Sequence, residues 1–336
     1  MIRLVAVELR RYLHRRAVLL LLVACVAVPV LLGTVAVTET APPSDAEIAF
    51  AQRQLEQDRA ASDYSQIVAD CVASPADFGL PGLTGAELEE QCRAQVEPQL
   101  EWYLDNRRLD LDDERRGSGA AVASFLAILL LLAGTTFTGH DWASRSVSNQ
   151  LLFEPRRGRV WAAKAVVVTG AALVVGAIVM TTYFAGLGLV ASSRDVLADG
   201  QLLDAFQMGW RSAGVAAVGA LLGFSLTTLF RSTVATIGLL LGVAVAGSLL
   251  LAALGVEERW NPAINLAALV QDGTTYYSES ACVEDPGMEG PLDEDGYYHE
   301  PCTEEVTFAD ASAYVGSFVL VAGVASLVSF RRRDVP

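Results

Sequence analysis

The residues best suited to chemistry lie in a short polar segment between two long apolar runs. This segment, Gly139–Lys164, reads GHDWASRSVSNQLLFEPRRGRVWAAK and includes the only lysine of the chain. Basic groups at this density can complement a partner surface or bind anionic lipid. The segment carries five basic side chains against two acidic ones: Arg145, Arg156, Arg157, Arg159 and Lys164 against Asp141 and Glu154.

Cysteine spacing predicts two disulfides. Cys71 and Cys92 lie in one acidic segment, and Cys282 and Cys302 lie in another. Pairing within each segment is favoured, and such bridges contribute about 2–4 kcal/mol, but four cysteines allow three connectivities. Cys25 falls in an apolar run and is predicted to be a packing residue. No CxxC or matching histidine spacing supports a zinc site, so no metal is predicted.

Signatures of enzyme active sites are missing from the sequence. It contains no GxxxxGK[ST] phosphate loop, no GxSxG elbow and no HExxH pair. Its three histidines are His14, His140 and His299, which are too scattered to cooperate. The acidic triplet 293–295 lacks the ligand spacing of a calcium loop. The chain is therefore predicted not to be an enzyme and to bind no cofactor directly.

Long apolar blocks predict an all-α polytopic membrane protein. Hydrophobic residues make up 52% of the 336 residues, and the mean hydropathy is +0.38. Six runs reach or approach the roughly 20 residues that cross a hydrocarbon core. The predicted transmembrane helices are 17–37, 119–138, 161–191, 208–230, 233–255 and 312–330.

Charge is distributed as expected for six spans with both termini in the cytoplasm. Residues 38–117 hold 18 acidic and 7 basic side chains, and residues 256–311 hold 14 and 1. The N-terminus, segment 139–160, the link at Arg231 and the tail 331–336 are basic. Because cytoplasmic loops are enriched in Arg and Lys, the acidic segments are predicted to be extracellular. A cleaved signal peptide is the rival interpretation of residues 1–40.

The segments between the spans have distinct predicted structures. Residues 1–16 are predicted to form an interfacial amphipathic helix, although a solvated basic tail is the alternative. Segment 38–118 is predicted to contain helices at 44–70, capped by Ser44 or Asp45, and at 86–109, stapled by Cys71–Cys92. A short loop is expected at 192–207. Segment 256–311 is predicted to contain a short helix at 257–270 and then stapled loops.

The polar segment resembles the region after the second span of type-2 ABC transporter permeases. The resemblance lies in Asp141, a short helix at Ser146–Phe153, the turn Pro155-Arg156-Arg157-Gly158-Arg159, and Lys164. The N-terminal sequence VELRRYLHRRAVLLL also resembles that family's interfacial helix. Glutamate is common in the family where this chain has Asp141. The external segment of about 80 residues is larger than in compact members.

The resemblance implies the transmembrane subunit of an ABC exporter in a bacterial plasma membrane. ATP and magnesium would bind a separate cytosolic ATP-binding subunit, and a second permease subunit, by default a copy of this chain, would complete the transporter. The composition is typical of high-GC bacteria, such as actinobacteria. The expected cargo is a lipid, drug or peptide, with no role for nucleic acid. The implied coupling residues are Asp141, Arg145, Leu151, Leu152, Phe153, Pro155, Arg156, Arg157, Arg159 and Lys164.

Three alternatives remain open at the level of sequence. The arginines of segment 139–160 can serve membrane topology and lipid binding alone. The stapled external segments can belong to a polytopic receptor or scaffold. An ion-coupled carrier is a third class, but the predicted span interiors contain almost no ionisable residues of the kind that bind coupling ions.

Overall fold

The computed structural model describes residues 1–61, 64–80, 83–104, 108–254, 256–278 and 302–332. It is mostly helical, as predicted. Within these ranges five helical stretches are long and apolar enough to cross a membrane. They are Arg16–Glu39, Leu111–Ala143, Arg157–Ser193, Gln201–Phe230 and Phe308–Arg332.

The elements follow the chain in a simple order. The α-helices are α1 Ile2–Leu13, α2 Arg16–Glu39, α3 Asp45–Ala61, α4 Tyr64–Ala73, α5 Ala86–Val96, α6 Leu111–Glu114, α7 Ala120–Ala143, α8 Ser146–Phe153, α9 Arg157–Ser193, α10 Gln201–Phe230, α11 Thr233–Ala253, α12 Pro262–Gln271 and α13 Phe308–Arg332. Single 3₁₀ turns lie at Pro75–Phe78, Leu100–Tyr103 and Glu258–Trp260. A π-helical turn, Arg115–Gly119, joins α6 to α7.

The predicted fifth span corresponds to α11. This helix is apolar and has 21 residues. Its fully described part, Thr233–Gly247, forms a shorter apolar helix and is not one of the five stretches long enough to cross a membrane. The count of six spans and the sidedness of the loops therefore stay predictions.

The helix that contains the predicted second span begins earlier than expected, and segment 256–311 contains two short strands. The helical stretch that contains the predicted span 119–138 starts at Leu111, because α6 and the π-helical turn continue into α7. Segment 256–311 is not only helix and loop, since β1 Thr274–Tyr277 pairs antiparallel with β2 Thr303–Val306. Thr, Tyr and Val favour β-strands. Here this preference is stronger than the tendency of the neighbouring residues to form turns.

The chain divides into two compact units. One is built from the described parts of residues 1–36, 110–286 and 300–336, and the other from those of 37–109. We call the first the membrane unit and the second the external unit, following the predicted topology.

Small residues let the helices of the membrane unit pack closely. α10 is the central helix, with α7 and α9 against it. A methyl group added at Gly134 of α7 would meet the carbonyl oxygen of Ala220 on α10 and lie 3.1 Å from Val168 of α9. Gly134 is therefore the point at which three helices converge, in the manner of small-residue contacts between membrane helices.

Replacing Gly134 with alanine is expected to destabilise the membrane unit. The new methyl meets backbone that cannot move cheaply, and overpacking of this kind costs about 1–3 kcal/mol. The matched control is Gly170→Ala on α9, where the added methyl has open space within 4 Å. Thermal unfolding of the purified chain in detergent should show a lower midpoint for G134A only. Equal midpoints for the two variants would contradict close packing at Gly134.

The external unit contains the within-segment disulfide that the spacing favoured. Cys71 of α4 bonds to Cys92 of α5, and both are buried with Val68 and Leu88. Cys302 is also disulfide-bonded, while its predicted partner Cys282 lies outside the described residues. Cys25 is a buried free thiol in α2, as predicted for a packing residue.

The helices of the external unit are shorter than predicted. Ser44 caps α3, as one of the two predicted caps: its Oγ accepts from the Glu47 backbone N–H at 3.4 Å, and its own backbone N–H donates to Glu47 Oε2 at 2.7 Å. Hydrogen bonds from Ser44 lower the pKa of Glu47. The helix predicted at 86–109 ends at Val96, with Glu97 extended. Pro98 explains this end, because proline disfavours helical backbone at the preceding residue.

Candidate functional site

The N-terminal helix buries a polar face rather than an apolar one. Glu8 and Tyr12 are buried, whereas Ile2, Leu9 and Leu13 are exposed. Glu8, Arg11 and Tyr12 lie on one face of α1, which packs against α9. The exposed Ile2, Leu9 and Leu13 are therefore free for the membrane interface predicted around them.

The buried face of α1 and the following residue Arg15 meet the ends of α7 and α9 in a charge cluster. The cluster is defined here as Glu8, Arg11, Arg15, Asp141 and Lys164. Lys164 Nζ donates to Glu8 Oε2 at 2.9 Å and to Asp141 Oδ2 at 2.5 Å. Arg11 donates to Glu8 Oε1 at 3.0 Å and to Asp141 Oδ1 at 2.9 Å. Arg15 forms a further ion pair with Asp141. Each carboxylate thus faces two or three cationic groups.

Burial makes these ion pairs energetically important. Glu8 is 0% exposed, Asp141 1% and Lys164 4%. Charges so deeply desolvated persist only when they are paired and hydrogen-bonded. Because three cations oppose two carboxylates, the cluster carries one excess positive charge.

An aromatic ring accommodates part of that excess charge. The Arg15 guanidinium lies 4.8 Å from the Phe137 ring centroid, and Lys164 Nζ lies 5.0 Å from it. Such cation–π contacts are attractive when desolvated. Arg15 also donates to the Phe137 carbonyl oxygen at 2.7 Å. Tyr12 packs edge-on against the same ring, and burial raises the pKa of the Tyr12 hydroxyl.

Two polar side chains of α8 connect this helix to the charge cluster. Arg11 Nη2 donates to Ser146 Oγ at 2.5 Å, and Gln150 Nε2 donates to Glu8 Oε1 at 2.5 Å. The corner between α7 and α8 is made at Arg145, whose φ of 55° lies in the left-handed region. One face of α8 is therefore held against α1, and through α1 against α7 and α9.

α8 occupies the predicted range Ser146–Phe153, but its predicted apolar patch is divided. Leu151 packs inward with Val147, near Val160 and Phe330. Leu152 and Phe153 are 81% and 91% exposed. The inward pair fixes α8 on the membrane unit, and the outward pair leaves two large apolar side chains uncovered.

Basic side chains flank the exposed pair in the sequence. Within the described residues, the side chains of Arg145, Arg156 and Arg159 have neither ion pair nor hydrogen bond. Arg157 donates to the Arg331 carbonyl oxygen at 3.4 Å. Pro155 is exposed between α8 and α9. Exposed apolar side chains beside polar ones are the usual anatomy of a protein-binding surface.

Asp141 and Lys164 were predicted beside the docking residues, and the structure places them inside the charge cluster instead. Their burial prevents contact with a partner, so their place is beneath α8. The sequence did not indicate that Glu8, Arg11, Arg15, Ser146 and Gln150 belong to or contact this cluster. The lone lysine at the start of an apolar run was the available signal, because a buried ammonium requires a carboxylate.

Opposite α8, at the start of the second span, lies another buried carboxylate. Glu114 is 2% exposed and accepts a hydrogen bond from Ser118 Oγ, which in turn accepts one from the Tyr183 hydroxyl at 2.7 Å. Ionisable groups are thus present at both ends of the apolar helices.

No protein-family model, curated protein or solved structure matches this chain.

Proposed function

We propose that this chain is the transmembrane subunit of an ATP-driven exporter, with α8 as the helix that docks on a separate cytosolic ATPase. The observation that carries the proposal is the exposure of Leu152 and Phe153 on a helix whose opposite face is anchored. Large exposed apolar side chains act as binding anchors once a partner excludes water from them.

The charge cluster is the means by which force on α8 would reach the spans. Movement of α8 displaces Ser146 and Gln150, which hold Arg11 and Glu8. Those two residues bind Asp141 on α7 and Lys164 on α9. Because each buried ion pair is costly to break, the helices move together rather than separately. ATPase closure would thereby shift the inner ends of two spans.

The remaining parts of the proposal follow from the apolar spans and the resemblance. The cargo is a hydrophobic or amphipathic molecule such as a lipid, drug or peptide. The working assembly contains two permease subunits, by default identical, and two ATPase subunits that bind ATP and magnesium. It resides in a bacterial plasma membrane as a multi-pass protein.

Affinity purification of the full chain from its native membranes in mild detergent tests the proposal. We expect a cytosolic protein with a phosphate-loop ATPase motif to co-purify. We also expect the pair, reconstituted in vesicles, to hydrolyse ATP faster than the ATPase alone. Recovery of a partner that binds residues 37–109 and has no nucleotide site would favour the receptor or scaffold class instead.

A further inference from the structure

A groove between α10 and α13 has the form of a lipid-chain site. Its volume is about 650 Å³, within the range of roughly 300–1,000 Å³ typical of small-ligand sites. Its wall on α13 includes Ser312, Gly316, Gly323 and Leu327. A side chain at Gly316 or Gly323 would stand in open space. The two glycines therefore leave the groove empty of protein.

The length of the groove matches an acyl chain. Between Ser312 and Leu327, α13 rises about 22 Å, given 1.5 Å per residue. Half of a hydrocarbon core about 30 Å thick is roughly 15 Å, so a chain from one leaflet fits along this wall. Both bounding helices are candidate membrane spans. Lipid is accordingly the molecule that surrounds the groove.

One end of the groove carries an arginine with unused donors. Arg211 lines the groove, and its Nη2 donates to Asp272 Oδ2 at 2.6 Å. A guanidinium has five N–H donors. Within the described residues, no other partner of this guanidinium exists. Arg211 can therefore bind a phosphate oxygen while it keeps Asp272.

A small polar pocket adjoins that end. Its volume is about 160 Å³, and Arg115, Arg116, Gln271 and Gly273 line it. Asp272, the partner of Arg211, lies in the chain between two residues of this pocket, Gln271 and Gly273. Arg115 is paired with Asp112 at 3.2 Å. Arg116 is exposed, and its side chain has no partner in the part of the chain that the structure describes.

We propose that this groove binds one glycerophospholipid, with an acyl chain between α10 and α13 and its phosphate held by Arg211 and Arg116. Guanidinium groups bind phosphate through charge-assisted, often bidentate hydrogen bonds. The site lies at the end of the membrane unit opposite α8. The inference is independent of coupling to an ATPase.

Native mass spectrometry of the full chain in detergent tests the site with two probes of identical acyl chains, phosphatidylglycerol and diacylglycerol. We expect phosphatidylglycerol to bind about tenfold more tightly, because only it carries a phosphate. The double variant Arg116→Gln/Arg211→Gln should bind both probes equally. Asp272, left unpaired, is 55% exposed and tolerates the change. The control Arg53→Gln/Arg93→Gln should keep the preference.

A second pair of variants tests the groove itself. Gly316→Leu/Gly323→Leu fills it and should weaken phosphatidylglycerol binding about tenfold, as expected for loss of the chain contacts. Gly170→Leu/Gly186→Leu is the matched control, since both glycines are exposed on α9 with open space around them. Unchanged lipid binding in the filled variant would overturn the proposal. A change of oligomeric state without a change in lipid binding would assign the groove to a second copy of the chain.

Discussion

Replacing Lys164 with methionine is expected to lower the free energy of unfolding by about 3 kcal/mol, because two buried carboxylate oxygens, Glu8 Oε2 and Asp141 Oδ2, lose their charged donor. The substitution removes the ammonium that lies 2.9 Å from Glu8 and 2.5 Å from Asp141. Two nearly inaccessible carboxylates would then face only Arg11 and Arg15. Thermal unfolding of the purified chain in detergent measures the loss.

Two further variants separate charge pairing from general damage. Arg145→Met removes an exposed cation without a side-chain partner among the described residues, and should change stability by at most about 0.5 kcal/mol. Asp141→Asn combined with Lys164→Met removes one charge of each sign. It should be more stable than the sum of its single variants implies. Additive effects would contradict direct coupling between the two residues.

The second large effect concerns the exposed face of α8. Leu152→Asp/Phe153→Asp is expected to weaken ATPase binding at least about a hundredfold, because anchor residues at interface centres contribute about 2 kcal/mol or more each. Both side chains are exposed, so folding should be unaffected. Binding of the purified ATPase subunit to the variant, relative to the native chain, provides the measurement.

A matched control distinguishes the docking helix from exposed apolar residues in general. Phe50 and Trp102 of the external unit are each 56% exposed. Phe50→Asp/Trp102→Asp should leave ATPase binding unchanged. If the α8 variant retained full ATPase binding but lost affinity for anionic vesicles, the exposed pair would belong to the membrane interface instead.

Local patterns were sufficient to predict much of the fold. Apolar run length predicts α2, α7, α9, α10 and α13, since a hydrocarbon core requires about 20 apolar residues whatever their neighbours are. The bounds of α8 were also predictable, because Pro155 follows its end. The start at Leu111 of the helical stretch that contains the predicted second span was not predictable, because the charged residues 112–116 interrupt the apolar pattern although the helix continues through them.

Tertiary contacts explain what the sequence could not indicate about the site. Amphipathic spacing in α1 predicted an interfacial helix, but it did not indicate that Glu8 and Arg11 pack on the protein. The partners of these residues lie 130 or more positions away on α7, α8 and α9. Likewise, three consecutive apolar residues cannot all face one side of a helix, so Leu151 separates from Leu152 and Phe153.

Photocrosslinking from position 153 tests the central claim most directly. A photoreactive amino acid replaces Phe153 in one full-length variant and Phe50 in another, and both are irradiated in native membranes. The proposed function predicts a product joining position 153 to a cytosolic ATP-binding subunit, with none from position 50. Crosslinks from position 153 to lipid alone, or the same protein product from both positions, would contradict it.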